Sequence, residues 1–335
     1  MAAVPRGKCH PLRRRERVMT RAEVLGFGAV AVDDLLYVDE YPRPESKVRV
    51  RHRLRQCGGL TGTALVAAAR LGSQAAYVGR IGDDPLSREV LRELQKEGVD
   101  VAHCVRRESA RPAHSTIIVD QTRHTRTVFS SAEGDLGADP ALPEAELIRS
   151  ARVLLVDHHG LEGTLRAVRI AAESGVQVVA DFERPAGPGF QELLACVGHL
   201  IVSQRFAREW TGLADAAAAA AALASPLRQA VVVTCGGGGC GYLAGAATGP
   251  AGFFPAYAVE VVDTTGCGDV FHGAYAAGLA EGLGLAERLA LASAAAALKA
   301  TRRGGQAGIP RREAVDAFLA ARGKAGGDMR KECDP

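Results

Sequence analysis

The sequence of 335 residues contains no apolar run that approaches the roughly 18 residues needed for a membrane-spanning helix. Arginines near the N-terminus are followed by no apolar segment, so neither a secretory nor a twin-arginine signal is indicated. The eight cysteines form no Cys-x-x-Cys pair, which argues against zinc-ribbon and thioredoxin-like sites. Scattered thiols of this kind indicate a reducing compartment, and we expect a cytoplasmic protein with no membrane partner.

An excess of one charge is also lacking, because 41 basic and 38 acidic side chains leave a net charge of only +3. Most of that charge is local: the first 21 residues carry seven basic side chains and one acidic side chain, and the rest of the chain is slightly acidic. A nucleic-acid-binding surface would need a wider basic field, so no nucleic-acid partner is expected. We predict a disordered basic tail over residues 1–20, with Met19 as an alternative start of translation.

Two nucleotide-binding motifs are absent or incomplete. No Gly-x-x-x-x-Gly-Lys-Ser/Thr sequence occurs, which excludes a P-loop enzyme. A weak dinucleotide fingerprint begins at Gly26, but the residues after it continue as a strand toward Pro42, where a dehydrogenase would have a helix. No repeat of 20–50 residues is visible, so a solenoid is not indicated.

What the sequence does contain is an alternation of short apolar runs and helical stretches. The runs are bounded by turn residues, as in strands buried on both faces of a parallel sheet. They lie at residues 153–156, 176–180, 199–202 and 231–234, and a further strand is predicted over 23–34. Helices are predicted at about 163–174, 214–224, 268–281 and 286–300. This order predicts an α/β fold of three layers, with helices on both faces of a mostly parallel central sheet.

Two stretches break the alternation and indicate a second, small antiparallel sheet. Residues 35–56 and 114–130 are charged and strand-like, and 116–120 with 125–129 form a predicted hairpin. We interpret both stretches as a β lid. The α/β core then comprises residues 21–34, 57–113 and 131–322, and residues 323–335 form a tail.

The most informative segment lies between a predicted strand that ends at Val262 and the helix that follows. Three small residues, Gly266, Cys267 and Gly268, stand at the start of that helix. Unbonded N–H groups at a helix start bind anions, aided by a helix dipole of roughly half a charge. Asp269 at the same start would repel a bound anion, but it could act as a base on a hydroxyl that attacks a phosphoryl group. A simple capping role for Asp269 is the alternative.

The segment Asp263-Thr-Thr-Gly-Cys-Gly-Asp269 resembles the second signature of the ribokinase (PfkB) carbohydrate kinases, Asp-Thr-x-Gly-Ala-Gly-Asp, with Cys267 in place of alanine. Sulfofructose-kinase-like and ketohexokinase-like members are the most similar subgroups. The resemblance covers about residues 24–320 and includes the Gly58-Gly59 pair, the 79–84 turn, the glycines of 234–239 and the 301–305 loop.

This resemblance implies a ribokinase-like fold and an ATP-dependent kinase that acts on a sugar or an acidic sugar derivative. It also implies a homodimer formed through the lid, Mg²⁺ that arrives with ATP, and a bound K⁺. Two other functions stay open. A nucleoside kinase would need a more apolar lid, and a non-catalytic sugar- or nucleotide-sensing relative is the second alternative.

The resemblance further implies roles for individual residues. Asp269 would be the general base, and the amides of Gly266, Cys267 and Gly268 would form the anion hole. The residues implied for substrate binding are Asp33 (with Asp34 as the neighbouring alternative), Lys47, Gly58, Gly59 and Thr63. Those implied for nucleotide binding are Thr234, Gly236, Gly239 and Thr264. A monovalent cation would be bound by Asp263, Thr265 and carbonyl groups of the 300–305 loop.

Two departures from the family pattern affect the expected substrate and the expected binding of Mg²⁺. Thr63 stands where the family has a substrate asparagine, which disfavours ordinary ribose or adenosine. Residues 203–206 read Ser-Gln-Arg-Phe where the family has Asn-x-x-Glu, so no carboxylate is left there to organise Mg²⁺. The altered motif is also what would permit the sensing relative.

Two groups of residues could determine whether the enzyme prefers an anionic substrate. Lys47, Arg49, Arg51 and Arg53 would share one face of a strand and form a basic row over the far end of an anionic sugar, with a solvated lid surface as the alternative. Asp157-His158-His159 is predicted at a strand end that faces the site. Adjacent histidines on a strand point to opposite faces, so a metal site there is disfavoured.

Overall fold

The structure is a computed structural model that describes residues 22–245 and 249–328. The tail predicted at residues 1–20 lies outside this part. In chain order the elements of the described part are β1 (Val24–Phe27), β2 (Ala31–Val38), β3 (His52–Gly58), α1 (Leu60–Arg70), β4 (Ala75–Tyr77), β5 (Arg80–Ile81), α2 (Pro85–Lys96), β6 (Val105–Arg106), β7 (Ala113–Asp120), β8 (Thr125–Ser131), α3 (Ala145–Ser150), β9 (Val153–Asp157), α4 (Leu161–Ser174), β10 (Gln177–Phe182), α5 (Phe190–Cys196), β11 (His199–Ser203), α6 (Gln204–Thr211), α7 (Ala216–Ala222), β12 (Ala230–Thr234), β13 (Gly239–Ala244), β14 (Ala251–Pro255), α8 (Cys267–Ala280), α9 (Leu285–Ala300) and α10 (Arg312–Asp328).

Eight strands form the central sheet, in the spatial order β14-β13-β12-β11-β10-β9-β1-β4. The strands from β12 to β4 run parallel, and β13 and β14 extend the sheet antiparallel at one edge. The predicted apolar runs correspond to β9, β10, β11 and β12, which confirms the mostly parallel sheet. Val231, Val232 and Val233 of β12 are fully buried, as expected for a strand covered on both faces.

Helices cover both faces of this sheet and complete the predicted layers. One apolar cluster joins the sheet to side chains from α1, α2, α8, α9 and α10. A second cluster on the opposite face includes side chains from α3 to α7. Val232 belongs to the first cluster and its neighbours Val231 and Val233 to the second, because side chains alternate along a strand.

No helix in the two described ranges is long and apolar enough to cross a membrane.

The second sheet has four strands, in the order β3-β2-β7-β8. The predicted hairpin is present as β7 and β8, which are antiparallel with Asp120 opposite Thr125. The prediction of a wholly antiparallel sheet is wrong, because β2 and β7 run parallel in the middle of it. Between these two strands the chain passes through α1 and α2. It therefore returns to the same end of the sheet before β7 begins, as a crossover between parallel strands requires.

Two predicted boundaries differ from the structure. The strand predicted over 23–34 is divided between the sheets, with β1 in the central sheet and β2 in the second. The break includes Gly28, where an added Cβ would lie 2.1 Å from Oδ2 of Asp157, so glycine is needed for the chain to pass this carboxylate. At the other end α10 continues to Asp328, beyond the predicted end of the core at residue 322.

One buried link joins the second sheet to the core near the end of β2. The hydroxyl of Tyr37 donates a hydrogen bond to Oδ2 of Asp263 at 2.6 Å and accepts one from the N–H of Gly304 at 2.9 Å. Burial and the Asp263 carboxylate raise the pKa of Tyr37 well above its ordinary value. The hydroxyl therefore stays protonated and donates a hydrogen bond to the carboxylate.

We expect Tyr37→Phe to lower the free energy of unfolding by about 1–3 kcal/mol, because it removes a donor from a buried carboxylate. Urea unfolding measures this change. Tyr41→Phe is the matched control, since the Tyr41 side chain is 41% exposed, and it should change stability by less than about 0.5 kcal/mol. Equal stability of Tyr37→Phe and the wild type would show that the link contributes nothing.

Candidate active site

A cleft of about 860 Å³ lies between the carboxyl ends of the central strands and the inner face of the second sheet. Open α/β sheets bind their ligands in such crevices. The predicted site residues that line it are Asp33, Gly59, Thr234, Gly236, Gly239, Thr264, Thr265, Gly266, Cys267, Gly268 and Asp269. The predicted residues outside its lining are Lys47, Gly58, Thr63 and Asp263.

The turn before α8 presents backbone N–H groups to the cleft. Gly266 has a φ of 77°, a left-handed conformation that favours glycine, and it caps the start of α8. The N–H of Cys267 donates to the carbonyl of Thr264 at 3.2 Å, so the predicted anion hole loses one of its three amides. Within the described chain the N–H groups of Gly266 and Gly268 have no acceptor. Two amides and a helix N-terminus can therefore bind an anionic oxygen.

Asp269 lies in the first turn of α8, beside these amides. Burial in the cleft and the carboxylates of Asp181 and Glu183 raise the pKa of Asp269 well above the ordinary value for aspartate. His272 is one turn further along α8, with its Nδ1 3.3 Å from Oδ2 of Asp181. A carboxyl group with a raised pKa in a cleft can accept a proton from a bound hydroxyl.

Strand alternation decides between Asp33 and Asp34. Asp33 faces the cleft from β2 and is opposite Ser115 of β7. Asp34 points to the other face of the sheet, where its Oδ2 lies 2.7 Å from Nε2 of His114 and 3.4 Å from a guanidinium nitrogen of Arg55. Burial raises the pKa of Asp33 to about 6, and a hydrogen bond from Ser115 opposes the rise. Asp33 is therefore the carboxylate that can accept hydroxyl groups of a ligand.

The two adjacent glycines let the start of α1 approach β2. Gly58 lies behind Asp33, where an added Cβ would be 1.9 Å from Oδ2 of that carboxylate. Gly59 lines the cleft with a φ of 86°, and an added Cβ would be 2.6 Å from the Cα of Val30. Gly58 therefore sets the position of the Asp33 side chain, and Gly59 allows close backbone packing.

His158 and His159 both line the cleft, so the prediction that they point to opposite faces is wrong. β9 ends at Asp157, and strand alternation does not extend to the two histidines, whose ring centroids are 4.2 Å apart. Burial lowers the pKa of His158 to about 4. Burial also acts to lower the pKa of His159, but Oδ1 of Asp157, 3.2 Å from its Nδ1, outweighs burial and raises it.

Besides Gly58, two predicted substrate residues, Lys47 and Thr63, do not line the cleft. β3 begins only at His52, so Lys47 lies on an exposed segment before the strand. Arg53 points to the face of the second sheet that is turned away from the cleft. The predicted basic row over the substrate is therefore wrong. Thr63 is buried in α1, where its Oγ1 accepts from Nε2 of Gln306 at 3.4 Å.

The glycine-rich turn after β12 leaves its backbone open to the cleft. Thr234 ends β12 and a short 3-10 turn follows. Gly236 has a φ of 56°, and an added Cβ there would meet nothing within 4 Å. In the neighbouring 203–206 segment, Ser203 caps α6 by accepting from the N–H of Phe206 at 3.2 Å, and Arg205 lines the cleft. The structure thus brings a backbone turn and a basic side chain to this end of the cleft.

The carboxylate of Asp263, predicted to bind a monovalent cation, already accepts several hydrogen bonds. They come from the hydroxyl of Tyr37 at 2.6 Å, the N–H of Thr265 at 2.8 Å and the N–H of Gly304 at 2.9 Å. These donors compensate the burial of Asp263 and, together with the charge of Lys299, keep its pKa below the ordinary value.

Two backbone carbonyls of this region also accept hydrogen bonds. The carbonyl of Asp263 accepts from Nζ of Lys299 at 2.7 Å, and Lys299 is fully buried. The carbonyl of Ala300 accepts the N–H groups of Val262 and Asp263. Burial lowers the pKa of Lys299, while Cys267 and Asp263 oppose the change. The carboxylate of Asp263 therefore fits a bound cation poorly, whereas the carbonyl of Thr265 accepts no hydrogen bond within the described residues and its buried Oγ1 has no partner there.

Sequence reasoning missed four charged residues of this region: Arg126, Asp181, Glu183 and Lys299. A guanidinium nitrogen of Arg126 on β8 donates to Oγ1 of Thr264 at 3.0 Å, so the second sheet contacts the turn before α8. The predicted hairpin places Arg126 on a strand, but it does not tell which face meets the cleft. Asp181 and Glu183 could have been found, because they follow the buried run of β10 at the carboxyl edge of the sheet.

The sequence profile of the pfkB family of carbohydrate kinases matches residues 21–312. This match covers most of the chain, and the chain belongs to that family. The protein is a carbohydrate kinase, as the resemblance of the 263–269 segment predicted.

Individual relatives agree with this assignment. The ribokinase of Haemophilus influenzae is 26% identical over 300 residues, which cover 88% of this chain and 97% of that protein. A 5-dehydro-2-deoxygluconokinase of Shouchella clausii is 26% identical over 319 residues, 89% of this chain and 95% of that protein. A provisionally assigned ribokinase from Agrobacterium tumefaciens superimposes with a TM-score of 0.82 at 30% identity, over 90% of this chain and 98% of that chain. The predicted ribokinase-like fold is thereby confirmed.

We expect Gly58→Ala to raise the KM for the sugar by about tenfold, which corresponds to the loss of one hydrogen bond to a charged group. The new methyl group would displace the Asp33 carboxylate, whereas the KM for the nucleotide should stay the same. Gly198→Ala is the matched control, since an added Cβ there is 3.6 Å or more from its neighbours. Steady-state kinetics of both variants provide the measurement. An unchanged sugar KM in Gly58→Ala would show that Asp33 does not contribute to sugar binding.

Proposed function

We propose that the enzyme transfers the γ-phosphoryl group of ATP to a hydroxyl of a sugar or of an acidic sugar derivative, with Asp269 as the general base. One observation carries this proposal. A carboxyl group with a raised pKa lies in the first turn of α8, beside two amides that have no acceptor within the described residues. A helix start that combines anion-binding amides with a carboxylate suits a reaction in which a hydroxyl is deprotonated next to a phosphate.

In this reaction the sugar hydroxyl gives its proton to Asp269 as its oxygen attacks the γ-phosphorus. The bond from that phosphorus to the bridging oxygen breaks, and ADP leaves. The amides of Gly266 and Gly268 stabilise the negative charge on the transferred group. Asp33, on the opposite wall of the cleft, accepts other hydroxyls and so orients the sugar.

We infer that the second sheet acts as the lid of the cleft. Its inner face contributes Asp33, Ser115 and Arg126 to the lining. Arg126 already contacts Thr264 in the turn before α8, and a guanidinium there could bind two oxygens of a phosphate. Closure of this sheet over a sugar would exclude water from the transfer.

ATP would bind against the turn after β12, through Thr234, Gly236 and Gly239, with its phosphates near Thr264. Mg²⁺ prefers oxygen ligands, keeps several waters and is commonly bound by one or two carboxylates together with phosphates. Glu183 lines the cleft directly after β10, the strand that pairs with β11 before the altered 203–206 segment. Glu183 would therefore supply the carboxylate contact with Mg²⁺·ATP, and the ion would neutralise phosphate charge.

The substrate class is best resolved by a panel of sugars, phosphosugars, sulfosugars and nucleosides assayed for ADP release. Because the basic row at Lys47 does not face the cleft, we expect no preference for acidic over neutral sugars from these residues. Turnover of nucleosides alone would instead support a nucleoside kinase. The absence of turnover with every compound would support a sensing relative.

We also propose a cytoplasmic homodimer that forms through the second sheet. β8 is an edge strand in which all seven residues are exposed, and Phe129 is 55% exposed. An open edge with exposed apolar side chains is a template for pairing with another chain.

The cysteines of the described part are free thiols, which is typical of a reducing compartment such as the cytoplasm.

We expect Asp269→Asn to lower kcat by about 10²–10⁴-fold, because the amide keeps the shape of the side chain and loses its basicity. ATP binding, measured by calorimetry, should persist. Asp34→Asn is the matched control, since Asp34 lies on the outer face of the second sheet. An Asp269→Asn variant that keeps more than about a third of the wild-type kcat would remove the base from the mechanism.

The pKa of Asp33, raised to about 6, predicts that sugar binding weakens in acid. Above that pH Asp33 is an anion that accepts hydroxyls, and below it the group is protonated and loses acceptor capacity. The KM for the sugar should therefore rise as the pH falls through this value, approaching about tenfold per pH unit. The KM for ATP serves as the internal control. Ser115→Ala should move the midpoint of this pH dependence to higher pH, because it removes a hydrogen bond that lowers the pKa of Asp33. A sugar KM that does not vary with pH would argue against a contact between the sugar and the Asp33 carboxylate.

A further inference from the structure

The helix α9 carries a lysine that is buried completely. Lys299 is the last residue but one of α9, and its side chain has no solvent exposure. Its Nζ donates to the backbone carbonyl of Asp263 at 2.7 Å, beneath the turn that leads into α8. Lysine is almost never fully buried unless its charge is paired, so a specific role is indicated for this ammonium group.

The charged and titratable groups that face Lys299 come from three elements. Asp263 and Cys267 lie in the turn before α8 and at its start, Asp269 lies in its first turn, and Arg126 reaches in from β8. The buried carboxylate of Asp263 therefore already has a buried positive charge nearby. A metal cation bound to Asp263 would place a second positive charge in the same interior region, where like charges repel strongly.

Hydrogen bonding leads to the same conclusion. The carboxylate of Asp263 accepts three donors, from Tyr37, Thr265 and Gly304. The carbonyl of Ala300 accepts two N–H groups. A carboxylate offers about four lone-pair sites, so these three donors leave Asp263 little free capacity to bind a cation.

We propose that the ammonium group of Lys299 takes the place of the monovalent cation predicted at Asp263 and Thr265, so that this kinase needs no K⁺. The proposal rests on the proposed function of the turn before α8 as the site that binds the transferred phosphoryl group. A fixed positive charge beneath this turn stabilises the negative charge that develops above it, as a bound cation would.

The wild-type enzyme provides the first test. Its kcat is measured in a buffer whose cations are Mg²⁺ and choline, and again after K⁺ replaces part of the choline at constant ionic strength. We expect the two kcat values to differ by less than about twofold. We also expect the same Tm for the ligand-free enzyme in both buffers, because an ion that binds only the folded state would raise it. A higher Tm in K⁺, or activation of about tenfold or more, would overturn the proposal.

Variants of Lys299 provide the second test. Lys299→Met removes the charge and keeps most of the volume, so kcat in choline should fall and added K⁺ should restore part of it. Lys299→Gln serves if the methionine variant does not fold. Lys96→Met is the control, because Lys96 is an exposed residue of α2, and it should behave as the wild type in both buffers. Folded Lys299 variants that lose activity without any response to K⁺ would assign Lys299 a structural role only and contradict the proposal.

The Tm measurements need no turnover, which separates this inference from the proposed function. If no sugar is phosphorylated, the sugar kinase assignment fails, but the Tm of the wild type and of the Lys299 variants still shows whether K⁺ binds. Gain of a K⁺-dependent Tm by Lys299→Met alone would support the replacement, and an identical K⁺ response in the wild type would exclude it.

Discussion

The geometry of the cleft depends on the carboxylate of Asp157 at the end of β9. This group is fully buried. Its Oδ2 accepts from the N–H of Ala29 at 2.7 Å and from Oγ1 of Thr61 at 2.9 Å, and its Oδ1 accepts from the N–H of His159 at 2.8 Å. A buried charge requires donors of this kind. Burial acts to raise the pKa of Asp157, but the imidazole of His159, with His158 and the N–H of Ala29, outweighs it and keeps the pKa below its ordinary value. Since the donors belong to the β1–β2 connection, to α1 and to the turn after β9, one carboxylate fixes the point at which the second sheet leaves the core.

β2 is consequently held at both ends. The Asp157 carboxylate binds the backbone just before it, and Tyr37 near its end is hydrogen-bonded to Asp263. Asp33 lies between these two points, on the face that meets the cleft. The opposite edge of the sheet is different, because β8 is exposed and the hydrogen bond from Arg126 to Thr264 is a surface contact, which contributes little to stability. The part of the second sheet that contains Asp33 is therefore held by buried hydrogen bonds, whereas the edge at β8 is held to the core more weakly.

Much of this arrangement could be predicted from the sequence, because its signals are local. Continuous apolar runs indicate buried parallel strands, and glycines before a helix indicate an anion site, whatever the rest of the chain does. The failures have a common cause in tertiary context. Lys47 was placed on a strand that begins only at His52. Strand alternation was extended to His159, beyond the end of β9. Lys299, in an alanine-rich helix, gave no sign of burial, since only the packing of α9 against the turn before α8 shows where its side chain ends.

In the proposed mechanism, the charges around Asp269 affect both the base and the anion site. Burial raises the pKa of Asp269, and two acids, Asp181 at the end of β10 and Glu183 just after it, raise it further. Two basic residues, Lys299 of α9 and Arg126 of β8, donate hydrogen bonds to Asp263 and Thr264 in the turn before α8. A base with a raised pKa takes a proton more readily from a hydroxyl, but the acids that raise it would also repel a phosphate. In the proposed mechanism the acids favour proton uptake by Asp269, and the positive charges of Lys299 and Arg126 oppose the repulsion that these acids would exert on a phosphate.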